Sequence, residues 1–262
     1  YLMENTDEVI RLEIKTDSDA VRRQADWCGL KPGLRVLDAG CGPGLTTAIL
    51  YEMIQPGGDI VGVDLSPKRI DYARQHYGKN AGIRFETHDL IEPLTRFKRF
   101  DLIWVRFVLE YNRKESRLIV EHLTERLNPG GYLCLMDLDY NCLSPYELPE
   151  PMEKVLFDLM GHLEGNYNFD PYSGRKLYAF LYDMGYQNIE MDMVPHHLIF
   201  GDVRDGDLYN WIKKVEVVSR KVEAIFHLYP GKRDGFFNDF RNFFLSPRRF
   251  TYTPLILCKG TV

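Results

Sequence analysis

"VLDAGCGPG", residues 36–44, decides the fold of this chain. Gly40, Gly42 and Gly44 alternate directly behind the apolar pair Val36-Leu37. Glycine reaches left-handed backbone angles without steric cost and lets a ligand approach the main chain closely. A glycine run between a buried strand and a helix is therefore built to hold a small molecule. A dinucleotide turn, G-x-G-x-x-G, would need a third glycine where Leu45 stands, and a phosphate loop would need the lysine of GK[ST], which "GLT" lacks. Neither phosphate-binding pattern fits.

Working outward, the chain alternates strand and helix signals on both sides of this turn. Strands are expected over 35–38, 59–64, 83–87, 100–105 and 132–137, as short apolar runs. Helices are expected over 45–54, over 67–77 with Ser66 as N-cap and Pro67 in the first turn, and over 114–127. Continuous apolar strands separated by helices imply a parallel sheet covered on both faces. Residues 8–30 form an N-terminal helical region. After Asp139 the rhythm breaks, with a helical insertion over 140–173, a helix over 174–185 and a strand over 189–199. An amphipathic helix over 205–228, an aromatic stretch over 236–244 and a last strand over 252–258 follow. The aromatics of 140–173 and 202–245, among them Tyr140, Tyr146, Phe157, Trp211, Phe226 and Phe236, read either as extra core or as a cap over a ligand.

Composition narrows the function. The chain has 262 residues, 45% hydrophobic and 27% charged, with a net charge of -5, which argues against nucleic acid or an anionic membrane as the main partner. No apolar run approaches the roughly 18 residues a membrane span needs, and residues 1–20 are too charged for a secretory signal, so a cytoplasmic location is expected. The chain opens on Tyr1 and not on Met, which leaves a preceding segment open. The five cysteines, Cys28, Cys41, Cys134, Cys142 and Cys258, show no CxxC spacing and read as free thiols, Cys41 as a packing residue of the turn. The seven histidines form no ligand pattern; His196 and His197, neighbours on a strand, should point to opposite faces, and no metal is expected.

The turn and its successors resemble the class I S-adenosylmethionine-dependent methyltransferases. The likeness runs in order through "VLDAGCGPG" (36–44), "GVDLSPKRIDYAR" (62–74), "RFETHDL" (84–90), "FDLIWVRFVLEY" (100–111) and "LNPGGYLCLMD" (127–137), and more weakly over 174–200 and 250–260. It implies an α/β fold, a Rossmann-like doubly wound sheet of about seven strands, mostly parallel with an antiparallel last strand, plus helical cap insertions. It also implies one domain over 1–262: an N-terminal helical lid (1–30), a cofactor-binding core (31–139), caps (140–173 and 202–245) and sheet-completing segments (174–200 and 250–260). The cofactor implied is S-adenosyl-L-methionine, leaving as S-adenosyl-L-homocysteine. Without a phosphate it needs no lysine; its carboxylate suits the amides that open helix 45–54.

Residue by residue, the resemblance assigns the cofactor to Gly40, Gly42, Gly44 and Thr46 of the turn. Asp38 holds either the turn or the ammonium. Asp64 accepts from both ribose hydroxyls, Asp89 from the adenine amino group, and Leu90 flanks the ring. Leu65 packs against adenine or ribose, or into the core. The backbone carbonyl near Arg106 receives the ammonium, while its side chain could equally meet a surface acid. Arg11 either clamps the methionine carboxylate or lies on a solvated helix face. No catalytic residue is singled out among the possible bases Glu110, Asp137, His162, His196 and His197.

The partner expected is a small methyl acceptor, apolar or aromatic by the composition of the cap, without nucleic acid. "RFVLEY" replaces the Asn/Asp-Pro-Pro-Tyr loop of methyltransferases acting on amino groups of bases or glutamine, and the resemblance extends to quinone-precursor and natural-product enzymes. Two alternatives stay open: a protein or RNA methyltransferase, with "GKR" (231–233) and "PRR" (247–249) as its only basic hints, and a non-catalytic adenosyl-ligand-binding or nicotinamide-dependent protein. The oligomeric state is open, a homodimer included.

Overall fold

The computed structural model describes residues 8–140, 144–145 and 148–262. Cys142 and Tyr146 lie outside the described residues. Five parallel strands form the heart of the sheet: β1 (Arg35–Ala39), β2 (Asp59–Asp64), β3 (Ile83–Thr87), β4 (Phe100–Arg106) and β5 (Leu127–Leu138). The two-residue β6 (Ser144–Pro145), β7 (Gln187–Phe200) and β8 (Phe250–Thr261) complete it, β8 running antiparallel between β5 and β7. The order across the sheet is β3-β2-β1-β4-β5-β8, with β7 on the outer side of β8. Strand order reverses between β1 and β4, where an open α/β sheet binds its ligand beyond the strands' carboxyl ends.

The helices are α1 (Glu8–Lys15), α2 (Ser18–Trp27), α3 (Leu45–Met53), α4 (Pro67–Tyr77), α5 (Ser116–Thr124), α6 (Glu150–Asn166), α7 (Leu177–Asp183), α8 (Asp205–Lys221) and α9 (Lys232–Leu245). The single helical region expected over 8–30 is two helices. Asp17 breaks it, its Oδ1 accepting from the Ala20 N–H at 3.0 Å to cap α2. The helix expected over 114–127 is shorter, and β5 begins at Leu127, five residues before the expected strand. Leu127 pairs with Phe100, and the ladder resumes at Tyr132 after a register shift at the left-handed Gly130 (φ +75°).

Three hydrophobic clusters hold the molecule. Two lie on opposite faces of the sheet, one around Trp104, Leu50 and Ile60, the other around Phe100, Ile103 and Leu135. The third belongs to the late helices: Leu156 and Leu163 of α6 and Trp211 of α8 pack with Phe236, Phe240 and Phe244 of α9. The two aromatic-rich segments thus bury their rings mainly against each other, as a helical layer with its own core. Phe157 is an exception and is exposed.

Candidate active site

At the carboxyl ends of β1 and β2 the glycine turn is tied down by its own amides. The Gly40 and Cys41 N–H groups donate to the Val63 carbonyl at 2.8 and 2.9 Å, and the Gly42 N–H to Asp64 Oδ2 at 3.0 Å. All three glycines have positive φ: +80°, +55° and +98° for Gly40, Gly42 and Gly44. They serve different ends. A Cβ at Gly40 would stand 2.3 Å from Val108 Cγ2, and one at Gly44 2.8 Å from Ala73 Cβ, so both positions are set by packing. A Cβ at Gly42 would meet only Leu12 Cδ1, at 3.8 Å, and would otherwise fill the space in front of the turn.

That space is a pocket of about 300 Å³. Asp38, Gly40, Gly42, Thr46, Asp64, Leu65, Asp89, Leu90 and Arg106 all line it, as does Cys41. Gly44 does not; it starts α3 and faces α4. Arg11 does not line it either. It is buried, and its Nη1 donates to Asn210 Oδ1 of α8 at 2.6 Å, so it is neither a solvated side chain nor at the pocket wall. One helical turn on, at i+4, Lys15 lines the pocket in its stead. Sequence reasoning passed over Lys15, although its spacing from Arg11 in "VIRLEIK" was a usable signal.

The two strand-end carboxylates differ in state. Asp64 Oδ1 accepts from the Ser66 N–H at 2.9 Å, and Arg69 stands 3.6 Å away; with Gly42 on Oδ2, the carboxylate still has lone pairs facing the pocket. Asp38 is deeper. Burial pushes its carboxyl up to about 7, against the hydrogen bond that Thr47 donates at 2.6 Å, with Asp64 adding to the rise. Asp38 therefore anchors the start of α3 through Thr47. Leu65, 60% exposed at the rim, and the buried Leu90 offer apolar surface on either side of Asp89 and Asp64.

Beyond Asp38 the pocket runs on to Arg106, Phe107, Val108 and Tyr111. Phe107 adopts φ +60°, a strained conformation for a bulky residue. Lys15 Nζ lies 4.5 Å from the centre of its ring and Arg106 Cζ 4.2 Å. The His196 ring lies 5.1 Å from that of Phe107, and His197 3.9 Å from His196. The two imidazoles are thus adjacent and not on opposite faces. The alternation fails because His197 has φ +51° within a register shift of β7 between His196 and Ile199. Burial holds both rings well below the ordinary histidine range, and Lys15 adds to this for each.

None of the possible bases lines the pocket. Asp137, raised well above its usual value by burial and then by Glu110, accepts from the Glu110 and Leu138 N–H groups, both at 3.0 Å, and from Ser173. It fastens the loop after β4 to the end of β5. Nor does any residue of 148–173 or 202–245 line the pocket, so the aromatic cap does not form its wall among the described residues. Cys28, Cys41, Cys134 and Cys258 are buried free thiols. Among the described residues no group of three His, Cys, Asp or Glu is placed to hold a metal ion, and no helix is long and apolar enough to cross a membrane.

Residues 36–131 match a family model described as a methyltransferase domain. The chain is 33% identical over 129 residues to a ubiquinone biosynthesis O-methyltransferase of Chelativorans sp. (strain BNC1), covering 47% of this chain and 49% of that one. It is 31% identical over 134 residues to phosphoethanolamine N-methyltransferase 3 of Arabidopsis thaliana, covering 51% of this chain and 26% of that one. The chain thus spans half or less of the length of these two relatives. In fold it is similar to a putative methyltransferase from Bacillus halodurans, with a TM-score of 0.58 and 15% identity over 93% of this chain and 98% of that one. A glycine turn that leaves open space before Gly42 and lacks the lysine of a phosphate loop, with a strand-end carboxylate that has lone pairs to offer, fits S-adenosylmethionine, the cofactor of that family. With the sheet order and the match over the turn, these features support residues 36–131 as a methyltransferase domain of the class I, S-adenosylmethionine-dependent type.

Proposed function

We propose that the chain transfers the methyl group of S-adenosylmethionine to a small molecule held against Phe107, Val108 and Tyr111. One observation carries this reading: a single pocket joins the glycine turn and Asp64 to that aromatic end, so cofactor and acceptor would meet inside it. Asp64 would hold the ribose hydroxyls, Asp89 with Leu90 and Leu65 the adenine, and the turn with Thr46 the methionine half. The cofactor supplies a methyl group on a sulfonium, already a good leaving group. The chain's own work is alignment and exclusion of water, which can supply roughly 7–11 kcal/mol of barrier lowering without a dedicated base. The names of the relatives, a quinone-precursor and a phosphoethanolamine enzyme, support a small acceptor.

The helical layer of α6, α8 and α9 would roof the acceptor end from outside the pocket wall. A protein or RNA acceptor is less well supported. Arg249 of the basic "PRR" is buried, donating to the carbonyls of Phe244, Ile199 and Gly201 at 2.9, 2.8 and 3.2 Å, so it offers no charge to a groove. Isothermal titration tests the reading: S-adenosylmethionine and S-adenosylhomocysteine should bind at micromolar concentrations and NAD should not. Tight NAD binding with no adenosyl-ligand binding would overturn it.

A further inference from the structure

The acceptor end of the pocket carries two cations on one aromatic ring. Lys15 Nζ and the Arg106 guanidinium both lie against Phe107 and both line the cavity, yet neither forms an ion pair or hydrogen bond with another described residue. The nearby carboxylates do not neutralise them by contact. Asp64 is engaged by two backbone amides and Arg69, Asp38 is buried against Thr47, and Glu110 and Asp137 lie outside the pocket wall. Like charges this close repel, and partial burial strengthens the repulsion. A sulfonium-bearing cofactor would add further positive charge and only one carboxylate, for which the amides of the turn and of the first turn of α3 are available. The pocket is therefore short of one anion.

A second, independent observation points the same way. Arg106 Nε is buried without a hydrogen-bond partner, and so is Nε2 of His196, whose ring lies 5.1 Å from that of Phe107. Buried polar atoms are ordinarily paired, and Arg106 Nε belongs to a residue that lines the pocket beside the ring carrying both cations.

We propose that the methyl acceptor of this site is an oxyanion, a small molecule whose carboxylate or phosphate group binds Lys15 Nζ and the Arg106 guanidinium beside the Phe107 ring. The proposal rests on the methyltransferase reading and deepens it: the acceptor, expected from composition to be apolar or aromatic, carries an acid. The aromatic ring would stack its body, and the two cations would fix its orientation through charge-assisted hydrogen bonds.

The test titrates the full-length protein, saturated with S-adenosylhomocysteine, with two acids and their neutral counterparts: 4-hydroxybenzoate against its methyl ester, and phenyl phosphate against phenol. Each acid should bind at least about tenfold more tightly than its partner, as a desolvated charge-assisted contact allows, and the tighter of the two acids identifies the anion. Lys15→Met should abolish most of that preference and Lys15→Arg should restore it, with thermal melting confirming that both variants fold. Equal binding of acids and neutral compounds, no binding of either acid, or a preference that survives both Lys15→Met and Arg106→Met would overturn the proposal. A tenfold loss of S-adenosylhomocysteine affinity in Lys15→Met would also overturn it, assigning the cation to the cofactor's carboxylate while the methyltransferase reading stands. If the unaltered protein binds no S-adenosylhomocysteine, that reading itself fails and the proposal falls with it.

Discussion

The two ends of the pocket reach the same left-handed backbone conformation by different means. At the cofactor end three glycines adopt it, without steric cost, and the turn's amides and carboxylates find partners in β2 and α3. At the acceptor end Phe107 and His197 adopt it, each at a cost of roughly 1–3 kcal/mol, and Arg106 Nε, His196 Nε2 and both nitrogens of His197 are buried without partners. The first end is a finished mould. The second holds strain and unpaired polar groups, of which Arg106 Nε belongs to a residue lining the pocket.

The sharpest way to break this contrast is at Gly40. Gly40→Ala would force a Cβ to within 2.3 Å of Val108 Cγ2 at φ +80°. Overpacking costs about 1–3 kcal/mol, and a left-handed non-glycine residue about 1–2 more. The melting temperature should fall by many degrees and S-adenosylhomocysteine binding should weaken sharply. An unchanged melting curve would show that the turn is less constrained than its hydrogen bonds imply.

A smaller effect is expected at Asp64, and it sharpens the division between holding the turn and holding the ligand. Asp64→Asn keeps an acceptor for one backbone amide but loses the charge that strengthens bonds to the ribose hydroxyls. Hydrogen bonds to charged groups contribute about 1.5–3 kcal/mol, so affinity for S-adenosylhomocysteine should fall roughly tenfold by calorimetry. Asp64→Ala should additionally lower the stability of the ligand-free protein, because the Gly42 and Ser66 amides would lose their acceptor. Full affinity in Asp64→Asn would make this carboxylate purely structural.

The mildest expected effect is a pH dependence at the acceptor end opposite in sign to that at the glycine turn. Burial lowers Lys15 to about 7; Arg11, Lys214 and Arg106 add to this, and Glu110 opposes it. Arg106, lowered by burial to about 10, keeps its charge below pH 9. His196 and His197, held well below the ordinary range, stay neutral. Above pH 7 the free site is therefore deprotonated at Lys15, and binding an acid must take up a proton. Affinity for 4-hydroxybenzoate should be level between about pH 5.5, where its carboxyl is ionised, and pH 7, and fall, by up to about tenfold per unit, as the pH rises above that. Asp38, raised by burial to about 7, gains a negative charge over the same range and would favour the ammonium of S-adenosylhomocysteine. Binding of that ligand should therefore not fall along this slope, and Lys15→Arg should flatten the slope for the acid. A slope shared by both ligands would erase the distinction between the two ends.

Much of the cofactor end was legible in the sequence because its determinants are local. The spacing of Gly40, Gly42 and Gly44, the apolar runs of β1, β2 and β4, and Pro67 at the start of α4 each act within a few residues. Asp64 could be placed at the pocket because a strand end and its following loop are neighbours along the chain. The acceptor end depends on contacts that no short window contains. Lys15, Arg106 and His196 meet on Phe107 only because α1 packs on α8 and β7 lies outside the antiparallel β8. Helical periodicity puts Arg11 and Lys15 on neighbouring positions of one face; packing against Asn210 of α8 claimed Arg11 and left Lys15 to the pocket. Alternation along a strand sends His196 and His197 apart, and a single left-handed residue in the β7 register shift brings them together. Sequence determined the turn, the strand-and-helix rhythm and the strand-end carboxylates of the pocket, because backbone propensity and periodicity are properties of adjacent residues. Tertiary structure alone decided which cations line the pocket beside Phe107, because that choice is made by packing between segments distant in the chain.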